Sequence, residues 1–322
     1  MTEPLLRRLH ARGERITVAA LPWVAPVYRL MPQVSATIEL PFVHGGLQWT
    51  ARRALAKTLR GQFDRAVVCP NSLKSALVPW WAGISQRVGY LGEARWGLLT
   101  ERLPNPKKHE RLPMVAFYAA LSGDVAVSPD KPILVSDVGA DSAALSVLGL
   151  DRQGYWAMAP GAEYGPAKRW PAEHFAALVQ AVFQKTGQPV VLLGSSKDSA
   201  VCEAISRLAN ADSPNACRDL SGKTRLDQAF SVIGNARTIV SNDSGLMHIA
   251  AAFGVPQVAL FGSSSPLHTP PLSDAAQVIW LKNTPQYLPR LDCAPCFARE
   301  CPLGHTRCLR DITPEMVMER LF

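Results

Sequence analysis

Asp243, Ser244 and Gly245 stand between a segment of strand character, Ala236 to Val240, and an apolar run, Leu246 to Phe253, that reads as a helix. That order predicts a polar turn at a helix N-terminus, where unpaired N–H groups and the positive end of the helix dipole face whatever binds above the sheet. For Asp243 the competing reading is an Asx-type cap on a buried helix. A second turn, Pro160 to Pro171, also follows a strand and carries Gly161 and Lys168. Two such turns together point to a phosphate-bearing ligand. His248 lies about one helical turn beyond Ser244, so it either faces that ligand or serves the core. Gly262 and Ser263 open a loop after a further strand and offer more N–H and hydroxyl donors, unless the loop is a plain turn.

A different chemistry is possible at Cys293, Cys296, Cys301 and Cys308, a C-x2-C-x4-C-x6-C run with His305 inside it. Zinc is one reading of these soft ligands. Structural zinc sites usually present two C-x2-C-type pairs across a longer spacer, and here the first pair alone has that form. Reduced loop thiols are therefore the expected reading, and no metal or cofactor is assigned. Cys69, Cys202 and Cys217 are dispersed, as in a reducing compartment.

These residues need a scaffold, and 322 residues with 48% hydrophobic content are enough for two cores. The formal charge of +8 suits an acidic partner without naming one. Basic residues cluster only weakly, near Arg7, Arg8, Arg52, Arg53, Lys107 and Lys108, and solvated helix faces explain any single pair. No zinc-finger, RNP or helix-turn-helix pattern supports nucleic acid. No stretch approaches the roughly 20 apolar residues of a membrane span, and the N-terminus lacks a secretory h-region, so a cytoplasmic location is expected.

Helices and strands alternate along the chain. Helices are expected at 4–12, 49–60 and 71–81, strands at 15–21, 36–40, 63–70 and 86–90, and a Pro/Lys-rich loop running into a helix over 104–122. Residues 123–151 show weaker periodicity and read as an interdomain connection. The pattern then restarts, with strands at 155–159, 189–193, 238–240 and 257–261 and helices at 172–185, 198–209, 226–234 and 246–253. A short segment, 218–220, leads into the third of these helices. The expected fold is α/β, with two Rossmann-like domains, 1–150 and 151–322. A doubly wound sheet normally opens with a central strand, yet this chain opens with a helix.

Taken in order, Pro70 to Pro79, Pro160 to Pro171, Ser241 to His248 and Phe261 to Pro266 resemble the lipopolysaccharide heptosyltransferases, a glycosyltransferase family. The resemblance covers nearly the whole chain. It implies the two-domain GT-B fold, its domains facing across a cleft, with the first domain here lacking its opening strand. It implies transfer of a heptose from ADP-heptose to the inner-core heptose of a Kdo-lipid A-type acceptor, inverting and metal-independent, at the inner-membrane surface. Lys168 matches the lysine that contacts the diphosphate, and Asp243, Ser244 and Gly245 match the turn that approaches sugar and phosphates. These are the expected catalytic groups, Lys168 and Asp243, with Gly161, His248, Gly262 and Ser263 around the nucleotide sugar. Adenine and ribose are expected at the loop bearing Lys197 and Asp198. The acceptor is expected at Asn71, Ser72 and Lys74, with Arg87 and Arg95 extending that basic surface.

The resemblance fails at the start of the chain. Relatives open with a strand whose turn carries an aspartate, the general base, whereas Met1 to Leu6 match the segment after it. Glu3 is the nearest carboxylate in sequence. The natural protein is therefore expected to continue upstream, and the chain as written to pack loosely in its first domain. A non-catalytic nucleotide-sugar binder, a truncated inactive chain and a heptosyltransferase with another core acceptor stay open as alternatives. A dinucleotide oxidoreductase is disfavoured, since no G-x-G-x-x-G follows a strand.

Overall fold

The structure is a computed structural model describing residues 1–43, 45–107, 113–124 and 130–322, so Lys108 and parts of the 104–122 loop and the 123–151 connection lie outside the described residues. The chain divides into two compact units, Met1–Asp130 and Lys131–Phe322. The division falls earlier than the expected 150/151 boundary. The reason is α6, Val138–Leu148, which occupies the stretch read as a connection and belongs to the second unit. Its run of Ala, Ser, Gly and Val gives little amphipathic contrast, but its ends are well marked. The Asp137 carboxylate accepts from the Gly139 and Ala140 N–H groups at 2.7 and 3.0 Å, and Gly149 closes the helix in the left-handed region.

In the first unit, α1 (Glu3–Ala11) precedes β1 (Ile16–Ala20), α2 (Ala25–Arg29) and β2 (Val34–Glu39). Then follow α3 (Trp49–Thr58), β3 (Arg65–Val68), α4 (Leu73–Trp81), β4 (Gln86–Tyr90), β5 (Glu101–Leu103) and α5 (Met114–Ala119). All pairings are parallel, but β1 bonds β2 in one sheet while β3, β4 and β5 form another. Among the described residues, β1 and β3 are each paired on one side only. β3, expected as a buried strand, is buried at Val68 and half-buried elsewhere. Ala56 and Leu59 of the α3 region pack with Val78, Ala82 and Ile84 near α4, against Ile38 of β2 and Ala66 of β3. One helical layer therefore serves both sheets.

The second unit contains β6 (Trp156–Ala159), α7 (Ala172–Thr186), β7 (Val190–Leu192), α8 (Ser199–Asn210) and β8 (Cys217–Asp219). It continues with α9 (Leu226–Gly234), β9 (Ile239–Asn242), α10 (Gly245–Ala252), β10 (Gln257–Leu260) and β11 (Ala276–Ile279), and ends with α11 (Arg307–Arg310) and α12 (Pro314–Leu321). Six parallel strands run β11-β10-β9-β6-β7-β8. β6, β9 and β10 are buried at every position, as central strands covered on both faces must be. On α7, Phe175, Leu178, Val179 and Val182 recur at helical spacing and are fully buried against the sheet. Each such side chain contributes about 1.5–3 kcal/mol of burial. From β6 the chain winds one way to β8, and from β9 the other way to β11. The strand order therefore reverses between β6 and β9, where a parallel sheet opens a crevice beyond the carboxyl ends of its strands.

Candidate active site

The two turns singled out by sequence meet at that reversal. Lys168 leaves β6 on the Pro160 to Pro171 turn, and Asp243 follows β9 directly. Lys168 Nζ lies 2.5 Å from Asp243 Oδ2, with the aspartate side chain 5% and the lysine 18% exposed. The second carboxylate oxygen accepts from Thr269 Oγ1 at 3.3 Å. Lys168 also stands 5.2 Å from the centre of the Tyr164 ring, a further attraction for its charge. The cation is thus held in place before any ligand arrives.

Asn242 joins the two turns. Its carbonyl oxygen accepts the Trp170 N–H at 3.1 Å, and its amide donates to the Pro160 carbonyl at 2.7 Å. Asn242 lies within the Ser241 to His248 motif, yet the spacing of a motif does not reveal a bond to a segment 72 residues away. Thr269 was missed for a similar reason. It reaches Asp243 across a loop with no periodic pattern.

α10 begins at Gly245, and its N-cap Ser244 makes no side-chain capping bond. The Ser244 hydroxyl is buried without a partner among the described residues, and so are those of Ser263 and Ser264 on the loop after β10. Buried polar groups are nearly always paired, and orphans gathered on adjoining turns mark a place for a polar ligand. Gly262 lets that loop sit close, since a Cβ there would lie 2.5 Å from Leu309 Cγ. His248 stands on α10 behind the turn, and burial pushes its pKa down to about 4, so its imidazole is neutral near pH 7.

The loop after β7 is committed differently. Asp198 accepts from the Ser195 N–H and hydroxyl at 3.0 and 2.8 Å, and Arg169 lies 3.7 Å from its other oxygen. A Cβ on Gly161 would fall 2.5 Å from the Asp198 carboxyl, so this pair closes the β6 and β7 turns against each other. Lys197 is exposed and bonds Glu163 at 2.6 Å. Asp198 therefore shapes the wall of the site, and Lys197 sits at its rim.

In the first unit, Asn71 and Ser72 occupy the turn from β3 to α4, with Lys74 in the first turn of that helix. The Leu73 N–H is taken by Glu93 at 2.7 Å, and Lys74 Nζ donates to the Gly45 carbonyl at 3.2 Å. Arg95 is not part of an exposed basic surface. It is wholly buried and binds the carbonyls of Pro70 (2.8 Å) and Tyr90, with Asn71 Oδ1 at 3.4 Å, so it shapes the turn from beneath. Nor does Arg87 join the group. It sits near the amino end of β4, and its guanidinium binds the carbonyls of Leu98, at 2.6 Å, and Ile84. Glu3 is buried as well, its Oε1 accepting from Gln33 Nε2 at 2.7 Å and its Oε2 3.4 Å from Arg7. Its carboxylate is engaged in the fold.

A parallel sheet whose reversal point carries a fixed cation, a bare helix N-terminus and orphan hydroxyls has the chemistry to take an anionic group such as a diphosphate, and the α/β fold around it is of the GT-B glycosyltransferase type of the heptosyltransferase structures it matches. A family model for glycosyltransferase family 9 (heptosyltransferase) matches residues 52–306. The chain is 41% identical to lipopolysaccharide heptosyltransferase 2 of Escherichia coli K12, covering 100% of this chain and 93% of that one. It is 39% identical to lipooligosaccharide heptosyltransferase 2 of Haemophilus influenzae, covering 95% and 89%. The solved structure of E. coli ADP-heptose LPS heptosyltransferase II matches with a TM-score of 0.84 and 38% identity, over 99% and 92% of the two chains. A family 9 glycosyltransferase from Veillonella parvula shares the fold at a TM-score of 0.80 and 19% identity, over 99% and 91%. The chain belongs to glycosyltransferase family 9, the heptosyltransferases.

Proposed function

We propose that the chain transfers a heptose from ADP-heptose to the inner-core heptose of a lipopolysaccharide precursor. The observation that carries this reading is the Lys168–Asp243 pair at the strand-order reversal, ringed by the unpaired hydroxyls of Ser244, Ser263 and Ser264. As the sugar leaves ADP, negative charge grows on the diphosphate. Lys168 and the N–H groups at the start of α10 are fixed where that charge develops, so they need no reorganisation as it forms. Asp243, itself held by Thr269, aims Lys168, while neutral His248 adds a donor or acceptor without a second charge. With this clamp supplying the positive charge, no catalytic cation is needed: the acceptor hydroxyl bonds the anomeric carbon on the face opposite the departing ADP, which breaks the bond to the diphosphate and inverts that carbon, and the hydroxyl proton passes to solvent.

The acceptor falls to the first unit, at Asn71, Ser72 and Lys74. Its lipid anchor brings the enzyme to a membrane surface, and no helix of the described residues is long and apolar enough to cross one. Support for peripheral attachment comes from Trp49 and Trp80, 49% and 44% exposed. Both rings pack on Trp81, with centroids 4.5 and 6.3 Å away, and exposed Val43 and Leu47 precede Trp49 in sequence. Such aromatic and aliphatic groups favour the headgroup boundary.

Calorimetry with ADP tests the donor reading, with loss of binding expected when Lys168→Ala and Asp243→Ala are combined. Undiminished binding in that variant removes the reading. Incubation with ADP-heptose and a heptosylated Kdo-lipid A should release ADP only when both are present. Tight ADP binding with no release would favour the non-catalytic binder.

A further inference from the structure

The cysteine-rich segment between β11 and α12 lies outside the donor clamp but touches it. Phe297 N–H donates to the Ser263 carbonyl at 2.7 Å, Tyr164 hydroxyl to the Phe297 carbonyl at 2.7 Å, and Ala167 N–H to the Arg299 carbonyl at 3.0 Å. Gly165 approaches so closely that a Cβ would stand 2.5 Å from the Arg299 carbonyl oxygen. The segment therefore braces both the turn that carries Lys168 and the turn that carries Ser263.

Within this segment Cys293, Cys296, Cys301, Cys308 and His305 line a cavity of about 10 Å³, which is room for one water-sized particle or an ion. The chain folds back after Cys301, with Gly304 N–H donating to the Cys301 carbonyl at 3.0 Å and Gly304 in the left-handed region. Pro302, Leu303 and Thr306 line the same cavity, so the fold-back wraps the side of it that carries Cys301. His305 Nδ1 accepts the Arg307 N–H at 3.1 Å, which commits that nitrogen to the local turn and leaves sulfur as the main donor type. Among the described residues no three such side chains yet converge to ligand distance. The sulfurs ring the cavity and would turn inward around an ion.

We propose that Cys293, Cys296, Cys301 and Cys308 form a tetrathiolate site for one soft divalent cation, zinc or ferrous iron, which pins this segment against the turns carrying Lys168 and Ser263. Four sulfur ligands in tetrahedral order select these two metals. On binding, the four thiols lose their protons to solvent and four metal–sulfur bonds form, with no change of oxidation state. The spacing alone did not single out such a site, because the second pair, Cys301 and Cys308, is split by six residues. The fold-back after Cys301 and the start of α11 bring that pair to the same cavity as the first.

The test is elemental analysis of the full chain purified under reducing conditions from medium supplied with both metals. One zinc or iron per chain is expected, with zinc colourless and iron giving visible thiolate absorption. Cys296→Ser and Cys301→Ser, singly and together, should lose the metal, whereas Cys69→Ser keeps it. Cobalt substitution of the wild-type chain should give the intense bands of tetrahedral cobalt thiolate, which the serine variants lack. Metal-free protein with all seven thiols free, or with thiols lost pairwise to disulfides, overturns the site, as does metal retention by the double variant. The coupling to the clamp rests on the donor reading, and chelation should lower both the melting temperature and the affinity for ADP. Metal present but ADP binding unchanged on its removal overturns the bracing alone. Failure of the wild-type chain to bind ADP at all points instead to the donor reading.

Discussion

Replacing Lys168 tests the clamp most directly, provided stability and binding are read separately. In Lys168→Met the Asp243 carboxylate, 5% exposed, keeps Thr269 as its hydrogen-bond donor but loses the cation 2.5 Å away. Stranding a buried charge costs about 3–5 kcal/mol, and the 18% exposure of the lysine places this site near the lower end, about 3 kcal/mol. Lys168→Met with Asp243→Asn removes both charges and should recover most of that stability. Binding should not recover. A charge-assisted hydrogen bond contributes about 1.5–3 kcal/mol, so ADP affinity should fall by about 10- to 150-fold in both variants. Turnover should fall further, by about 10²–10³, because leaving-group charge is largest in the transition state. Asp243→Asn alone should retain ADP binding and lose turnover, since the lysine is present but no longer aimed. Thermal melts, calorimetry with ADP and an ADP-release assay separate these effects. A double variant that regains stability and also binds ADP like the parent would refute the clamp.

Other perturbations test the scaffold. Asn242→Ala should destabilise the second unit by about 2–4 kcal/mol, because it leaves the Trp170 N–H and the Pro160 carbonyl buried and unpaired; urea melts check this. Gly262→Ala forces a methyl to within 2.5 Å of Leu309 Cγ and should cost about 1–3 kcal/mol, with weaker ADP binding as the Ser263 turn is displaced. The His248 pKa falls from 6.5 to about 4 through burial, so the unfolded chain binds the extra proton first. Stability from this group is present above pH 6.5 and lost as pH falls toward 4, by up to about 3 kcal/mol at about 1.4 kcal/mol per pH unit. His248→Gln should flatten that acid limb in melts across this range. Amides of β1 and β3, each paired on one side among the described residues, should exchange faster than those of β6 and β9, paired on both. Equal protection would contradict the split sheet.

Strand and helix order was readable where the burial pattern is strong. The helix over 226–234 and the strand over 86–90 agree with α9 and β4 at both ends, because each carries an unbroken buried block, Ala229 to Ile233 and Val88 to Tyr90, that stands out in the sequence. α6 escaped because Gly139, Ala140, Ser142, Ala143, Ala144 and Ser146 dilute its apolar face, and β5 because three residues are too few for any period. Lys168 and Asp243 were legible from the turn chemistry around them. Their mutual contact was not, since two loops 75 residues apart meet only once the sheet order is known. Arg87 and Arg95 show the converse. Residue type suggested a basic surface, but a guanidinium can satisfy several carbonyls at once, and both are consumed that way in the fold.

The same logic separates groups that build the site from groups free to act in it. Asn242, Asp198 and Arg95 have their polar atoms largely spent on partners within the protein, so their loss should appear first in stability. Ser244, Ser263 and Ser264 carry hydroxyls with no protein partner among the described residues, and the fold bears the cost of burying them. Replacing all three with alanine removes unpaired polar groups from the interior, so stability should hold or rise while ADP affinity falls. That opposition of signs is what a binding site predicts and what a packing role does not. A triple variant that loses stability and binds ADP as before would show that these hydroxyls serve the fold.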